Sequence, residues 1–171
     1  PAATAGLPLR QPRDVTRAPW LDATLRGAGP TMLLSAMPEL GLVRDAQRWP
    51  GRDDVLVFVD PEGLLRVRRG TESSEAGVGR VGDRIVLADL DGDGAAELIS
   101  TQASGPLHPD RVRVHQLSGA LDAATVLFEG AFGSSVTALA AGDLDLDGAE
   151  EILLIEETGA DAVLWRLGAR R

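Results

Sequence analysis

From about residue 55 onward, apolar and polar positions follow one another in runs too short for helices. Val55-Leu56-Val57-Phe58-Val59 reads as a buried strand. Asp60-Pro61-Glu62-Gly63 places Pro second and Gly fourth, as type I turns favour. Leu64-Leu65-Arg66-Val67-Arg68 then alternates with period two. Further strands are predicted at Arg84-Ile85-Val86-Leu87-Ala88, Glu97 to Gln102, Arg111-Val112-Arg113-Val114-His115, Ala124 to Phe128, Val136 to Ala141, Glu151 to Glu156 and Ala162 to Leu167. Residues 103–110 read as a Gly/Pro loop. Residues 1–30, broken by Pro8, Pro12, Pro19 and Pro30, read as an extended arm anchored by Trp20. Thr31 to Met37 is a short apolar run and a candidate strand.

Two stretches between these strands repeat. Asp89-Leu90-Asp91-Gly92-Asp93-Gly94-Ala95-Ala96-Glu97 returns 54 residues later as Asp143-Leu144-Asp145-Leu146-Asp147-Gly148-Ala149-Glu150-Glu151. Each has acids at relative positions 1, 3, 5 and 9 and glycine at 6, with a β-like apolar run directly after. Carboxylates this crowded repel one another unless a cation sits among them. Calcium suits them: it takes about six to eight oxygen ligands in flexible geometry. Alternate residues of a curled loop converge, so Asp89, Asp91 and Asp93, and Asp143, Asp145 and Asp147, point inward. The carbonyls of Ala95 and Ala149 complete the side of the cage, and Glu97 and Glu151 close it. Gly94 and Gly148 permit the positive φ of the sharp bend.

An EF-hand needs its closing Glu at position 12 and a helix after it. Position 12 is Ser100 in one copy and Leu154 in the other, inside β-type runs. A solvated acidic turn explains one copy more readily than two in register. A weaker third copy runs through Gly51-Arg52-Asp53-Asp54-Val55-Leu56, aligned on Gly94 to Ile99. It is expected to keep the fold without binding calcium, with Asp45, Asp53 and Asp54 as turn or surface residues.

The predicted class is therefore all-β. It is a partial propeller of about three four-stranded blades, with calcium loops between the first and second strands. The divisions are 31–80 (degenerate blade), 81–130 and 131–171 (one calcium loop each). Three blades leave sheet edges that the N-terminal segment, a partner or a further chain must cover.

Composition narrows the function. The formal charge of −9 has no compensating basic patch, which argues against nucleic acid. No apolar run approaches the length of a transmembrane helix. With no cysteine there is no disulfide framework, thiol catalysis or Cys-type zinc site. The chain opens at Pro1 without a signal-peptide pattern, as a mature product or a proteolytic piece does. His108 and His115 have no triad partners in the sequence and read as surface residues. Trp20, Trp49 and Trp165 read as packing residues, with stacking on a sugar as the alternative.

Segments 88–99 and 141–152 resemble FG-GAP/VCBS repeats, the calcium-bearing blades of integrin-α-like propellers and many bacterial surface proteins. Phe132-Gly133-Ser134-Ser135-Val136 is similar to the FG half. The GAP half is not evident, the spacing from Phe132 to Asp143 is longer than in the integrin form, and Glu stands at position 9 where Asp is commoner. The bacterial type is the nearer match. The resemblance implies two calcium sites, formed by Asp89, Asp91, Asp93, Ala95 and Glu97 and by Asp143, Asp145, Asp147, Ala149 and Glu151. It also implies a non-enzymatic, extracytoplasmic module (periplasmic, cell-surface or secreted) for protein–protein interaction or surface scaffolding. The alternatives are a lectin-like glycan binder, a non-catalytic part of a larger secreted enzyme, and a calcium sensor.

Overall fold

Within each sheet, every strand pairs with its neighbour along the chain. The computed structural model describes residues 42–52, 54–103 and 108–168. The arm at 1–30, Trp20, the run at 31–37 and Asp53 lie outside the described residues. Among those described there are eleven strands and no helix. The first sheet is β1 (Asp45–Arg48), β2 (Val55–Val59), β3 (Leu64–Arg69) and β4 (Glu72–Arg80). The second is β5 (Ile85–Ala88), β6 (Glu97–Thr101), β7 (Asp110–Leu117) and β8 (Ala124–Phe132). The third has three strands, β9 (Ser135–Gly142), β10 (Glu151–Glu157) and β11 (Ala162–Leu167). All pairings are antiparallel between sequence neighbours, so each sheet is a meander.

Side-chain alternation then decides how the sheets stack. Val55, Val57, Val59, Leu65 and Val67 of the first sheet share one core with Ile85, Leu87 and Leu98 of the second. The intervening residues Val86, Ala88, Ile99, Val112 and Val114 share another with Val136, Ile152 and Leu154 of the third. The middle sheet is thus covered on both faces, which is why β5 and β6 are buried at every residue. Burying a Val, Leu or Ile side chain is worth roughly 1.5–3 kcal/mol. Two cores of nine or more buried residues therefore outweigh any single polar contact described below. The first strands of successive sheets lie together, β1 against β5 and β5 against β9.

The degenerate copy departs from its alignment in one respect. Matching Gly51 to Gly94 equates Val55 with Leu98, which faces the sheet before it. Val55 instead faces the sheet after it. Seven residues separate the paired Arg48 and Leu56, whereas eight separate Ala88 from Glu97 and Gly142 from Glu151. An odd difference in length turns every following side chain to the other face. Asp45 is also no simple surface residue: its Oδ2 accepts a hydrogen bond of 2.9 Å from the Ile85 N–H, tying the first sheet to the second.

The third sheet has one face on the second core and one face open. Leu153 and Ile155, with their cross-strand neighbours Ala140, Ala138, Arg166 and Leu164, lie on the open side. Leu164 is 65% exposed there.

Candidate metal centre

Each acidic loop is pinned at both ends by a strand pair, Ala88 with Glu97 and Gly142 with Glu151. The glutamate at position 9 is the first residue of its strand, and its carboxylate turns back under the loop. Glu97 Oε2 accepts from the Leu90 N–H at 3.0 Å, and Glu151 Oε2 from the Leu144 N–H at 2.9 Å. The aspartate at position 1 gathers the turn. Asp89 Oδ1 accepts from Gly92 (2.8 Å) and Asp93 (3.1 Å), and its Oδ2 from Gly94 (2.9 Å). Asp143 accepts from Asp147 and Gly148, both at 3.1 Å. Asp91 Oδ1 accepts from Asp93 N–H at 3.2 Å.

These bonds bring positions 1, 3 and 9 together. Asp89, Asp91 and Glu97 each offer a carboxylate oxygen within 4.8 Å of the others, and so do Asp143, Asp145 and Glu151. Two oxygens that each lie about 2.4 Å from one ion are at most about 4.8 Å apart, so the separations within either trio are compatible with a single shared cation. The donors are all hard oxygens, which fits calcium and leaves nothing for a soft metal. Position 5 is placed differently. Asp93 and Asp147 are outside the trios, and their Oδ1 atoms accept from the N–H groups of Ala95 (2.7 Å) and Ala149 (2.9 Å). Ala95 and Ala149 enter this network through those N–H groups. Among the described residues no other cluster of His, Asp or Glu meets the same distance criterion.

The electrostatics support a need for positive charge. Glu97 is only 2% exposed. Burial first, and then the charges of Asp91, Asp93 and Asp89, push its carboxyl above the usual glutamate value against the opposing Leu90 N–H. In the second loop a cation is already present. Arg166 Nη2 lies 2.6 Å from Asp145 Oδ2 and 2.5 Å from Glu151 Oε1. Bonds to Glu151 first, then to Asp145, hold the guanidinium above its ordinary pKa.

Sequence reasoning did not find Arg166, nor the link between the loops: Asp89 N–H donates to Glu150 Oε2 at 2.8 Å and Glu150 N–H to the Asp89 carbonyl at 2.7 Å. It also placed positive φ at position 6 alone. Position 4 needs it too, with φ of 73° at Gly92 and 62° at Leu146.

The other candidates fall elsewhere. His115 is buried within β7, its Nε2 3.2 Å from the buried Ser100 Oγ. Burial, and then Arg113, lower its pKa. A serine and histidine sealed in the core have no access to substrate. His108 is exposed. Trp49 is in the first core. Trp165 meets Phe132 edge-to-face at 6.0 Å in a cleft of about 370 Å³, which Phe128, Leu154 and Glu156 also line. Glu156 accepts from Trp165 Nε1 and Ser134 N–H, both at 3.0 Å.

Fold and site together define an all-β protein of three stacked meanders with two acidic loops able to hold a metal ion. No family model, curated protein or solved structure matches the chain. Among the described residues no helix is long and apolar enough to cross a membrane.

Proposed function

We propose that the two acidic loops are calcium sites and that the chain is a non-enzymatic, calcium-stabilised module of propeller blades, of the FG-GAP/VCBS type that the loops resemble. One observation carries this reading. The same three positions of both repeats converge, each around a buried glutamate that begins the second strand of its sheet. Asp89, Asp91 and Glu97 hold one ion and Asp143, Asp145 and Glu151 the other. Each ion offsets most of the negative charge of its trio and locks a loop between two strands. Such sites fill readily where calcium is abundant, outside the cytoplasm, and binding stabilises the fold by mass action.

The partner reading rests on the open face. Val86, Ile99 and Val112 of the second sheet are covered by the third sheet. Their counterparts Ala140, Leu153 and Leu164 have no described sheet over them. A protein partner or further chain laying a sheet there continues the stack, which suits a module for protein–protein interaction or surface assembly. A second reading, a glycan-binding module, is favoured by the Trp165 cleft.

Thermal melting with calcium and with chelator tests the first reading. The expected result is a higher Tm with calcium, and an Asp91→Asn/Asp145→Asn double variant that no longer responds. Equal melting temperatures overturn it. Glycan binding abolished by Trp165→Ala, with the calcium response intact, favours the second.

A further inference from the structure

We infer that Arg166 is a built-in counter-ion of the second loop, and that a divalent cation binds there only by displacing it, so that the two loops take calcium with unequal affinity. This rests on the calcium reading of the loops.

The repeat shows what is different about Arg166. It lies opposite Leu153 on β11, as Val114 lies opposite Ile99 on β7. Val114 is buried in the second core, on the face that the third sheet covers. Glu97 lies on that same face, two residues before Ile99. Glu151 holds the matching place on the open face of the third sheet, and there the guanidinium of Arg166 lies over it instead. The β7 arginines do not act this way. Arg111 Nη1 and Arg113 Nε bind Glu129, at 2.8 and 2.6 Å. No arginine among the described residues pairs with Asp89, Asp91 or Glu97.

Geometry makes arginine and metal exclusive. A single nitrogen, Nη2, lies 2.6 Å from Asp145 Oδ2 and 2.5 Å from Glu151 Oε1. Calcium holds its oxygens at about 2.3–2.6 Å, so an ion shared by those two atoms occupies the place of the nitrogen. Calcium held by those two oxygens therefore breaks the ion pairs of two of the three carboxylates in the second trio. Among the described residues the first trio has no such competitor, and its glutamate faces the like charges of Asp91, Asp93 and Asp89 and the Leu90 N–H.

Calorimetric calcium titration of the full chain, wild type and variants, tests this. The wild type is expected to show two binding events at least about tenfold apart in affinity. Asp91→Asn removes the tighter one. Arg166→Gln tightens the weaker one about tenfold or more and leaves the tighter one unchanged, while Arg166→Lys, which keeps a cation, leaves it weak. Melting in chelator gives a second readout: Arg166→Gln lowers Tm there by uncovering Asp145 and Glu151, and the loss disappears at saturating calcium. Two equal sites, or a weaker event unaffected by Arg166→Gln, overturn the inference and leave the calcium reading standing. No binding by any variant overturns both.

Discussion

Asp89 and Glu150 exchange two hydrogen bonds, one through the Glu150 carboxylate at 2.8 Å and one between their backbones at 2.7 Å. They lie 61 residues apart and join the start of one acidic loop to the end of the other. A hydrogen bond to a charged group contributes about 1.5–3 kcal/mol. Glu150→Ala is therefore expected to lower stability by about 1–3 kcal/mol in urea denaturation, although Glu150 belongs to neither trio. A loss no larger than that of an exposed control such as Glu72→Ala removes any structural role for the bond.

The raised pKa of Glu97 sets a pH dependence for the metal-free protein. Folded Glu97 binds its proton more tightly than unfolded Glu97 does. Its contribution to stability is fully present below the ordinary value of 4.5 and is lost as pH rises through the higher folded value. On the proposed calcium reading, affinity at the first loop should run the other way, because the ion needs the ionised carboxylate; it should rise across the same window with release of a proton. Glu97→Gln should flatten the first trend in denaturant melts of chelated protein, and a trend that persists in that variant assigns it to another group.

Asp60 has the opposite sign. Burial raises its pKa, but the Leu64 N–H at 2.8 Å and Arg66 Nε at 2.9 Å outweigh it, and the net shift is down. Its contribution is present above the ordinary value of 3.8 and is lost as pH falls through the lower folded value. Asp60→Ala should cost about 2 kcal/mol at neutral pH and less in acid, measured by urea denaturation at several pH values.

Leu146 takes a left-handed conformation with its side chain 86% exposed. That conformation costs a residue with a Cβ roughly 1–2 kcal/mol, and no burial offsets it here. Leu146→Gly, which copies Gly92 of the first loop, should raise Tm by a few degrees. An unchanged or lower Tm means that the flexibility glycine adds to the unfolded chain cancels the relief of strain.

The strands most legible in the sequence were those with β-branched or alternating apolar residues. β11 spans the predicted Ala162 to Leu167, and β2 the predicted Val55 to Val59. β1 and β4 were missed for the same reason. Asp-Ala-Gln-Arg and Glu-Ser-Ser-Glu-Ala-Gly-Val-Gly-Arg carry almost no apolar signal, and neighbouring strands hold them in place. Spacing predicts convergence of positions 1, 3, 5 and 9; the trios hold 1, 3 and 9, because the position 5 carboxylates accept from the Ala95 and Ala149 N–H groups. Spacing does not point to Arg166 or Glu150, since their partners lie at least 15 residues away. His115 misled because its strand continues to Leu117 and its ring is buried beside Ser100.

Leu98 and Ile99 are joined by one peptide bond yet belong to different cores. No plane of weakness runs between those two masses of side chains. Damage on either side of the middle sheet reaches the other through the backbone of β6, so calorimetry should record one melting peak for residues 42–168 rather than three.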